Sequence, residues 1–164
     1  MRILGIDPGY GTMGYGVIEV EGDKRKVLQY GVLTTKTGEP TPQRLRVIFK
    51  GVNQLIDMYE PDDIAFEELF FSKNVTTGIL VASARGVALV AAAERTDNIY
   101  EYTPNQIKQA VTGYGRADKH QMQQMVKLLL NMKDIARPDD AADALAVALT
   151  HANSMHAKHL FKIK

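Results

Sequence analysis

Apolar residues recur along the chain with two periods, and each period predicts a different kind of element. Short apolar or alternating runs bounded by turn residues predict β-strands at residues 2–6, 14–21, 26–35, 62–67 and 99–102. The turn at residues 21–24 is short enough to join the second and third strands as a hairpin. The first three strands are therefore predicted to form an antiparallel meander.

Longer stretches have apolar residues three to four positions apart, which is typical of amphipathic helices. Helices are expected at residues 42–59, 75–95, 104–112, 119–132 and 138–155. A meander followed by strand–helix–strand crossovers predicts an α/β fold. We expect a five-stranded mixed sheet, made of the antiparallel meander plus two parallel strands, flanked by helices.

The length of 164 residues suits one domain with a sizeable core and is too short for two. We expect residues 1–157 to form this domain and the basic residues 158–164 to be a short flexible tail. The chain lacks cysteine, which excludes disulfides and thiolate metal sites. No apolar run is expected to cross a bilayer and no signal peptide is evident, so a cytoplasmic location is predicted.

Gly9, Gly11 and Gly14 form a G-x-G-x-x-G pattern directly after the first strand. A dinucleotide site requires a helix to begin here, because the helix N-terminus binds the pyrophosphate. Residues 15–20 instead have strand character, so the glycines are interpreted as turn residues that also allow close backbone approach near Asp7. A similar hairpin occurs in actin-like kinases and ATPases, but those proteins need a duplicated second lobe that this chain is too short to supply.

Acidic residues occupy positions where an acid is unusual. Asp7 ends the first strand, and Glu67, followed by Glu68, ends the fourth; ligand sites in such sheets lie beyond the carboxyl ends of strands. Asp140 and Asp143 are three residues apart and project from one helix face. Taken one at a time, most of these acids have an ordinary structural explanation, such as a turn, a solvent-exposed strand end or a favourable interaction with the helix dipole. Asp143 is the exception, because it lies on a small and apolar stripe where an acid needs a partner.

The acids have no obvious excess of buried cations to neutralise them. A hard divalent cation is the natural partner, since magnesium prefers oxygen ligands and retains waters and substrate oxygens. Two such ions can hold the attacking and leaving oxygens of a phosphodiester displacement. The chain is therefore predicted to be a divalent-metal-dependent endonuclease. Asp139, beside the helical pair, is interpreted as a helix cap, and the catalytic acids are Asp7, Glu67, Asp140 and Asp143.

The four histidines do not share a spacing that would bind a metal. They are His120, His151, His156 and His159. His151 lies about two turns past Asp143 on the same predicted helix, and it is interpreted as structural or solvated. Any metal chemistry is therefore expected to rest on oxygen ligands.

Several sequence blocks together resemble the RuvC family of Holliday-junction resolvases, within the ribonuclease H-like superfamily. The resemblance covers nearly the whole chain, and the blocks have the family's order and spacing. They are GIDPG at 5–9, FE at 66–67 followed by Phe70 and Lys73, ARGVA at 84–88, KQ at 108–109 and DAADALA at 140–146.

The resemblance implies a homodimer that nicks two opposed strands of a four-way junction in homologous recombination and DNA repair. It implies Mg²⁺ as cofactor, with Mn²⁺ able to substitute, 5′-phosphate products and motor partners of the RuvA and RuvB type. The acids that match the family's metal ligands are Asp7, Glu67, Asp140 and Asp143. Two alternatives remain open: a ribonuclease H-like nuclease of RNA or hybrids, and a junction-binding protein without catalysis.

Residues suited to DNA contact lie in the half of the chain that supplies Glu67. The resemblance places Phe70 at the junction centre, where it would stack on an unpaired base, and Phe71 is then expected to pack. Lys119 matches a family position close to the active site and would stabilise charge on the phosphate. Basic residues collected on one face would neutralise phosphates, and the candidates are Lys73, Arg85, Lys108, Arg116 and Lys119.

Small residues recur every four positions along the second predicted helix, at Gly78, Ala82 and Gly86. They would allow close packing on the chain's own sheet. A symmetric helix-to-helix dimer seam is an equal alternative, because a two-fold dimer would place two active sites on two strands of one junction.

Overall fold

The computed structural model describes residues 1–69 and 75–164, which build a five-stranded sheet covered by helices on both faces. The strands are β1 (Arg2–Asp7), β2 (Thr12–Glu21), β3 (Lys24–Thr34), β4 (Asp63–Glu67) and β5 (Ile99–Tyr102). Their order across the sheet is β3-β2-β1-β4-β5. The first three are antiparallel, and β4 and β5 run parallel to β1. The predicted mixed sheet is confirmed.

The helices match the predicted ones apart from their ends. They are α1 (Thr41–Tyr59), α2 (Val75–Ala93), α3 (Pro104–Thr112), α4 (Lys119–Leu129) and α5 (Asp139–Asn153), followed by a 3₁₀ helix at Met155–Leu160. The largest difference is at α4, which ends three residues before the predicted boundary. Asn131 there has a φ of 49°, in the left-handed region that cannot continue a helix.

Strand alternation divides the core into two layers. Ile3 and Ala65 pack with α3, α4 and α5 on one face of the sheet, whereas Leu4 and Ile64 pack with α1 and α2 on the other. Because side chains alternate along a strand, the terminal residues Asp7 and Glu67 belong to the face that α5 covers.

Helix α5 lies directly on β1 and β2 because the facing positions have almost no side chain. A Cβ on Gly5 would lie 2.2 Å from the carbonyl oxygen of Ala144, and one on Gly14 would lie 2.0 Å from the carbonyl oxygen of Asp140. Only glycine permits this approach. The predicted close backbone approach near Asp7 is therefore confirmed at Gly14, which pairs with Asp7 in the β1–β2 register.

Helix α2 contradicts the expectation that no apolar run is long enough to span a bilayer. Its 19 residues include a window with a mean hydropathy of 1.7, so by length and composition alone it passes that test. The expectation was wrong because Arg85 is the only charge in the helix. In the structure, Ala84 and Ala88 are fully buried in the layer that contains α1, and Ile79 and Val90 of the same helix are exposed.

The C-terminal segment is packed, and it differs in this from the flexible tail that was expected. Lys162 forms an antiparallel bridge with Tyr100 of β5, and the Ile163 backbone N–H donates to the carbonyl oxygen of Ile99 at 3.0 Å. The Phe161 ring lies 4.7 Å from the Tyr102 ring, centroid to centroid. These contacts cover the edge of β5, which would otherwise expose unpaired backbone groups.

Candidate active site

The predicted acids converge at one edge of the sheet. Asp7 and Glu67 end the neighbouring parallel strands β1 and β4, and the residues before them are partners in the strand register. The first turns of α5 bring Asp140 and Asp143 over the same edge, since Gly14 beside Asp7 contacts the Asp140 backbone. Glu67 shares the α5 side with Ala65, whereas alternation turns Glu68 away. This placement supports the sequence-based choice of Glu67 as the catalytic glutamate.

The four carboxyl groups strongly affect one another. Burial raises the pKa of Asp7 to about 8, and the nearby charges of Glu67, Asp143 and Asp140 raise it further against the opposing effect of Lys119. Burial and the charge of Asp143 likewise raise the pKa of Glu67 to about 7. Burial also raises the pKa of Asp143, although Lys119 opposes the shift. The site therefore holds more negative charge than its own cations neutralise.

This charge surplus fits a divalent cation, which would relieve the repulsion and accept oxygen ligands. Within residues 1–69 and 75–164, however, no three acidic or histidine side chains already form an arrangement that would hold one ion. The donor chemistry and the electrostatics thus match a cation site, while the carboxylates do not form a closed coordination shell in this conformation. Such a shell would close when a cation draws the repelling groups together.

A cleft of about 270 Å³ adjoins the carboxylates. Glu67 and Asp143 line one part of it, and Lys108 and Lys119 supply positive charge to the same space. The remaining lining is largely apolar and comes from α3, α4, α5 and the residues before them: Pro104, Ile107, Ala117, Met122 and Ala146. The cleft therefore brings anionic and cationic side chains together in a partly desolvated space.

The structure places the predicted DNA-contacting residues in different environments. Lys108 and Lys119 lie in the cleft, and Arg116 is exposed in the segment between α3 and α4. Arg85 is instead half-buried and engaged in an ion pair with Glu101 of β5, with 2.5 Å between Nη2 and Oε2. Phe70, Phe71 and Lys73 lie outside the described residues.

Asp139 is not the helix cap that the sequence suggested. The residue at the cap position is Pro138, and no side chain caps the N-terminus of α5. The Asp139 carboxylate accepts hydrogen bonds from Gln123 of α4 and from Arg137, and it forms an ion pair with Lys119. Lys119 and Gln123 are four residues apart on α4, and only that spacing could have indicated a shared partner.

His151 is structural, one of the two alternatives left open. It is fully buried on α5, where its Nε2 lies 2.9 Å from an oxygen of Asp63 and its Nδ1 lies 2.8 Å from the Tyr102 hydroxyl. Lys158 donates to the same Asp63 oxygen at 2.8 Å. Because a carboxylate only accepts, Nε2 carries the hydrogen in this network. The network ties α5 and the C-terminal segment to the start of β4, which carries Glu67 at its other end.

The raised pKa values predict that the metal-free protein loses stability as the pH rises. Asp7 and Glu67 bind protons more tightly when folded than at their ordinary pKa values of 3.8 and 4.5. Their stabilising contribution is complete below about pH 4 and is lost as the pH rises through about 7 and 8. Urea unfolding with a chelator should therefore show a falling free energy of unfolding between pH 5 and pH 9. Asp7→Asn should flatten this slope, and an unchanged slope would contradict the assignment.

The fold and the carboxylate cluster define the class of protein as ribonuclease H-like. A sequence profile described as crossover junction endodeoxyribonuclease RuvC matches residues 3–151. The crossover junction endodeoxyribonuclease RuvC of Alkaliphilus metalliredigens (strain QYMF) is 56% identical over 164 residues, covering all of both chains. The chain belongs to the RuvC family of crossover junction endodeoxyribonucleases, which are metal-dependent nucleases.

Solved structures agree with this assignment. Thermus thermophilus RuvC has a TM-score of 0.88 and 39% identity, covering 95% of this chain and 96% of that one. T. thermophilus RuvC in complex with Holliday junction substrate has a TM-score of 0.90 and 38% identity, covering 94% of each chain.

Proposed function

We propose that this protein resolves four-way DNA junctions by paired, metal-dependent nicks in recombination and repair. The observation that carries the proposal is the convergence of Asp7, Glu67, Asp140 and Asp143 beside a cleft that also contains two lysines. The structure of T. thermophilus RuvC in complex with Holliday junction substrate supports the choice of DNA structure. The products would carry 5′-phosphate ends.

In this proposal the carboxylates hold Mg²⁺, or Mn²⁺ in its place, as a pair of ions. Bound divalent cations would polarise the phosphate and lower the pKa of a water nucleophile. Burial and the charges of the other three acids raise the pKa of Asp7, and a bound cation would oppose this shift and favour the ionised carboxylate. Lys108 and Lys119 would orient the phosphate and stabilise its developing negative charge.

DNA contacts would extend from this cleft. Lys108, Lys119 and the exposed Arg116 would neutralise phosphates near the cut. Phe70 and Lys73 lie outside the described residues. On sequence grounds, Phe70 is proposed to stack at the junction centre and Lys73 to neutralise phosphates. Arg85 would first have to leave Glu101, so its contact with DNA is the least supported of the set.

The test compares cleavage of a four-way junction, a plain duplex and an RNA–DNA hybrid, with and without Mg²⁺. We expect paired nicks in the junction alone, and only with the metal. Preferred cleavage of the hybrid would favour a ribonuclease H-type activity. Junction binding without nicking, even at high protein concentration, would favour a junction-binding protein that lacks catalysis.

The proposed enzyme acts as a homodimer through the outward face of α2. Ile79 and Val90 are exposed on this face, and a Cβ at Gly86 between them would meet open space. The buried residues of α2, Ala84 and Ala88, lie on the opposite face. Of the two alternatives for the small residues, the seam is favoured at Gly86, because this position does not pack on its own sheet and would let a second helix approach closely.

Val90→Glu should convert the dimer to a monomer, because it places a charge within the proposed apolar seam. Sedimentation equilibrium would give the mass, and the two nicks in one junction should lose their coordination. Met58→Glu is the matched control, since it adds the same charge at an exposed apolar position on α1. A monomeric wild type, or a dimer that survives in Val90→Glu, would exclude this seam.

Two further expectations derive from the family. Motor proteins of the RuvA and RuvB type are proposed as partners that move the junction to the enzyme. A cytoplasmic location is proposed together with this role, since chromosomal junctions are its substrate.

A further inference from the structure

The Asp139 carboxylate contacts side chains of α4 and of the segment before α5, and the proposed mechanism gives it no role. Its Oδ2 lies 3.2 Å from the Lys119 ammonium, which is also 3.5 Å from Oδ2 of Asp143. Its Oδ1 accepts a hydrogen bond from Gln123 at 3.0 Å and another from Arg137. One oxygen therefore holds Lys119, while the other is held by two donors.

One of the two donors that hold Asp139 is buried. Gln123 lies on α4, which packs against α5, and only 6% of its surface is exposed. The Lys119 side chain, by contrast, is 55% exposed and has four rotatable carbon–carbon bonds. An unrestrained lysine of this kind would sample many rotamers and place its charge at the cleft only part of the time.

Asp139 and Asp143 both attract Lys119, but only Asp143 would also bind a metal ion during the reaction. Asp143 belongs to the proposed metal-binding set, and a carboxylate that shares its charge with a divalent cation attracts an ammonium less strongly. Asp139 lies one residue before that set and has its own hydrogen-bond donors. It therefore retains its attraction for Lys119 when Asp143 is engaged.

We propose that Asp139 is a positioning residue that holds the Lys119 ammonium at the carboxylate cleft during DNA cleavage, an inference that rests on the proposed function. Asp139 acts on the substrate only through Lys119. Its removal should therefore lower the rate of strand cleavage and leave junction affinity almost unchanged. The effect should also vanish when Lys119 is absent.

The experiment is a double-mutant cycle of Asp139→Ala and Lys119→Ala. The readout is single-turnover cleavage of a saturating four-way junction in Mg²⁺, with junction Kd measured separately in a chelator. Lys119→Ala should slow cleavage on the order of 100-fold, as expected when a charge-stabilising donor is lost. Asp139→Ala should slow it about tenfold through misplacement of that donor. The double variant should be no slower than Lys119→Ala, and the Kd of Asp139→Ala should stay within about twofold of wild type.

Three variants test the specificity of this effect. Asp134→Ala removes an exposed acid from the same segment before α5 and should cleave at the wild-type rate. Asp139→Asn keeps a neutral acceptor for Lys119 and should be intermediate, and Asp139→Glu should recover part of the loss. Unfolding curves should show a cooperative transition with only a small loss of stability, because the ion pair is half-exposed and the Gln123 amide loses one acceptor.

The possible failures are distinguishable. Additive losses in the double variant would overturn the inference, because they would mean that Asp139 acts independently of Lys119. Unchanged or faster cleavage by Asp139→Ala, or an unaffected Lys119→Ala variant, would also overturn it while the nuclease assignment survives. A wild-type protein that fails to cut the junction would instead refute the proposed function.

Discussion

Asp7→Asn is expected to abolish cleavage of a four-way junction while junction binding persists. Asp7 lies at the end of β1, where its pKa is raised by burial and by the charges of three other acids. The asparagine side chain has nearly the same shape but cannot carry the negative charge that a cation site requires. We expect a loss on the order of 1,000-fold or more in single-turnover rate, as for other losses of a central electrostatic group.

The measurement compares cleavage and binding for the same preparations. Gel-shift titration in a chelator should give a Kd close to that of wild type, because Asp7 faces the carboxylates and adds no attraction for phosphate. Asp134→Asn, which removes an exposed charge, serves as the control and should cut normally. Cutting by Asp7→Asn near the original rate would remove Asp7 from the catalytic set.

Of the substitutions proposed for this protein, Asp63→Asn is expected to cause the largest loss of folding stability. Asp63 is buried, with 1% of its surface exposed, and it accepts from both His151 and Lys158. Removing one partner of a buried charged network typically costs about 3–5 kcal/mol. We expect a value near the lower limit, because the Lys158 side chain is 33% exposed and can turn toward water.

Urea unfolding at neutral pH would measure this loss, with the exposed Asp97→Asn as control. Burial alone would raise the pKa of Asp63, but the hydrogen bonds from His151 and Lys158 outweigh it and lower the pKa. The contribution is therefore present above the ordinary pKa of 3.8 and is lost as the pH falls through the lower folded value. A variant as stable as wild type would mean that the network does not anchor α5 and the C-terminal segment.

The two predictions concern opposite ends of β4. Glu67 at its carboxyl end belongs to the proposed catalytic cluster, and Asp63 at its amino end anchors α5 through His151. Since α5 also carries Asp143, the His151 contact fixes the helix that positions a proposed catalytic acid. Asp63→Asn should therefore lower cleavage activity at elevated temperature, while cleavage at low temperature is less affected.

Some features were evident in the sequence because they depend on local patterning. Alternation along short strands and helical spacing elsewhere predicted the mixed sheet, and the positions of Asp7 and Glu67 at strand ends predicted the edge where they meet. The sequence blocks resembling the RuvC family agreed with the family to which the chain belongs. The flexible tail was expected from its composition alone, and composition cannot reveal a backbone pairing with β5.

Other features depend on contacts between residues far apart in the chain, and local periodicity carries no information about such contacts. His151 and Asp63 are 88 residues apart, and Lys119 and Asp143 are 24 apart. The sequence by itself determined which acids could form a metal site and on which elements they lie. Only the tertiary structure decided that α5 covers the face of the sheet on which Glu67 lies, and that Asp139 holds Lys119. The first outcome follows from the close packing of α5 on the sheet, which the glycines of β1 and β2 make sterically possible, and the second from the packing of α4 against α5.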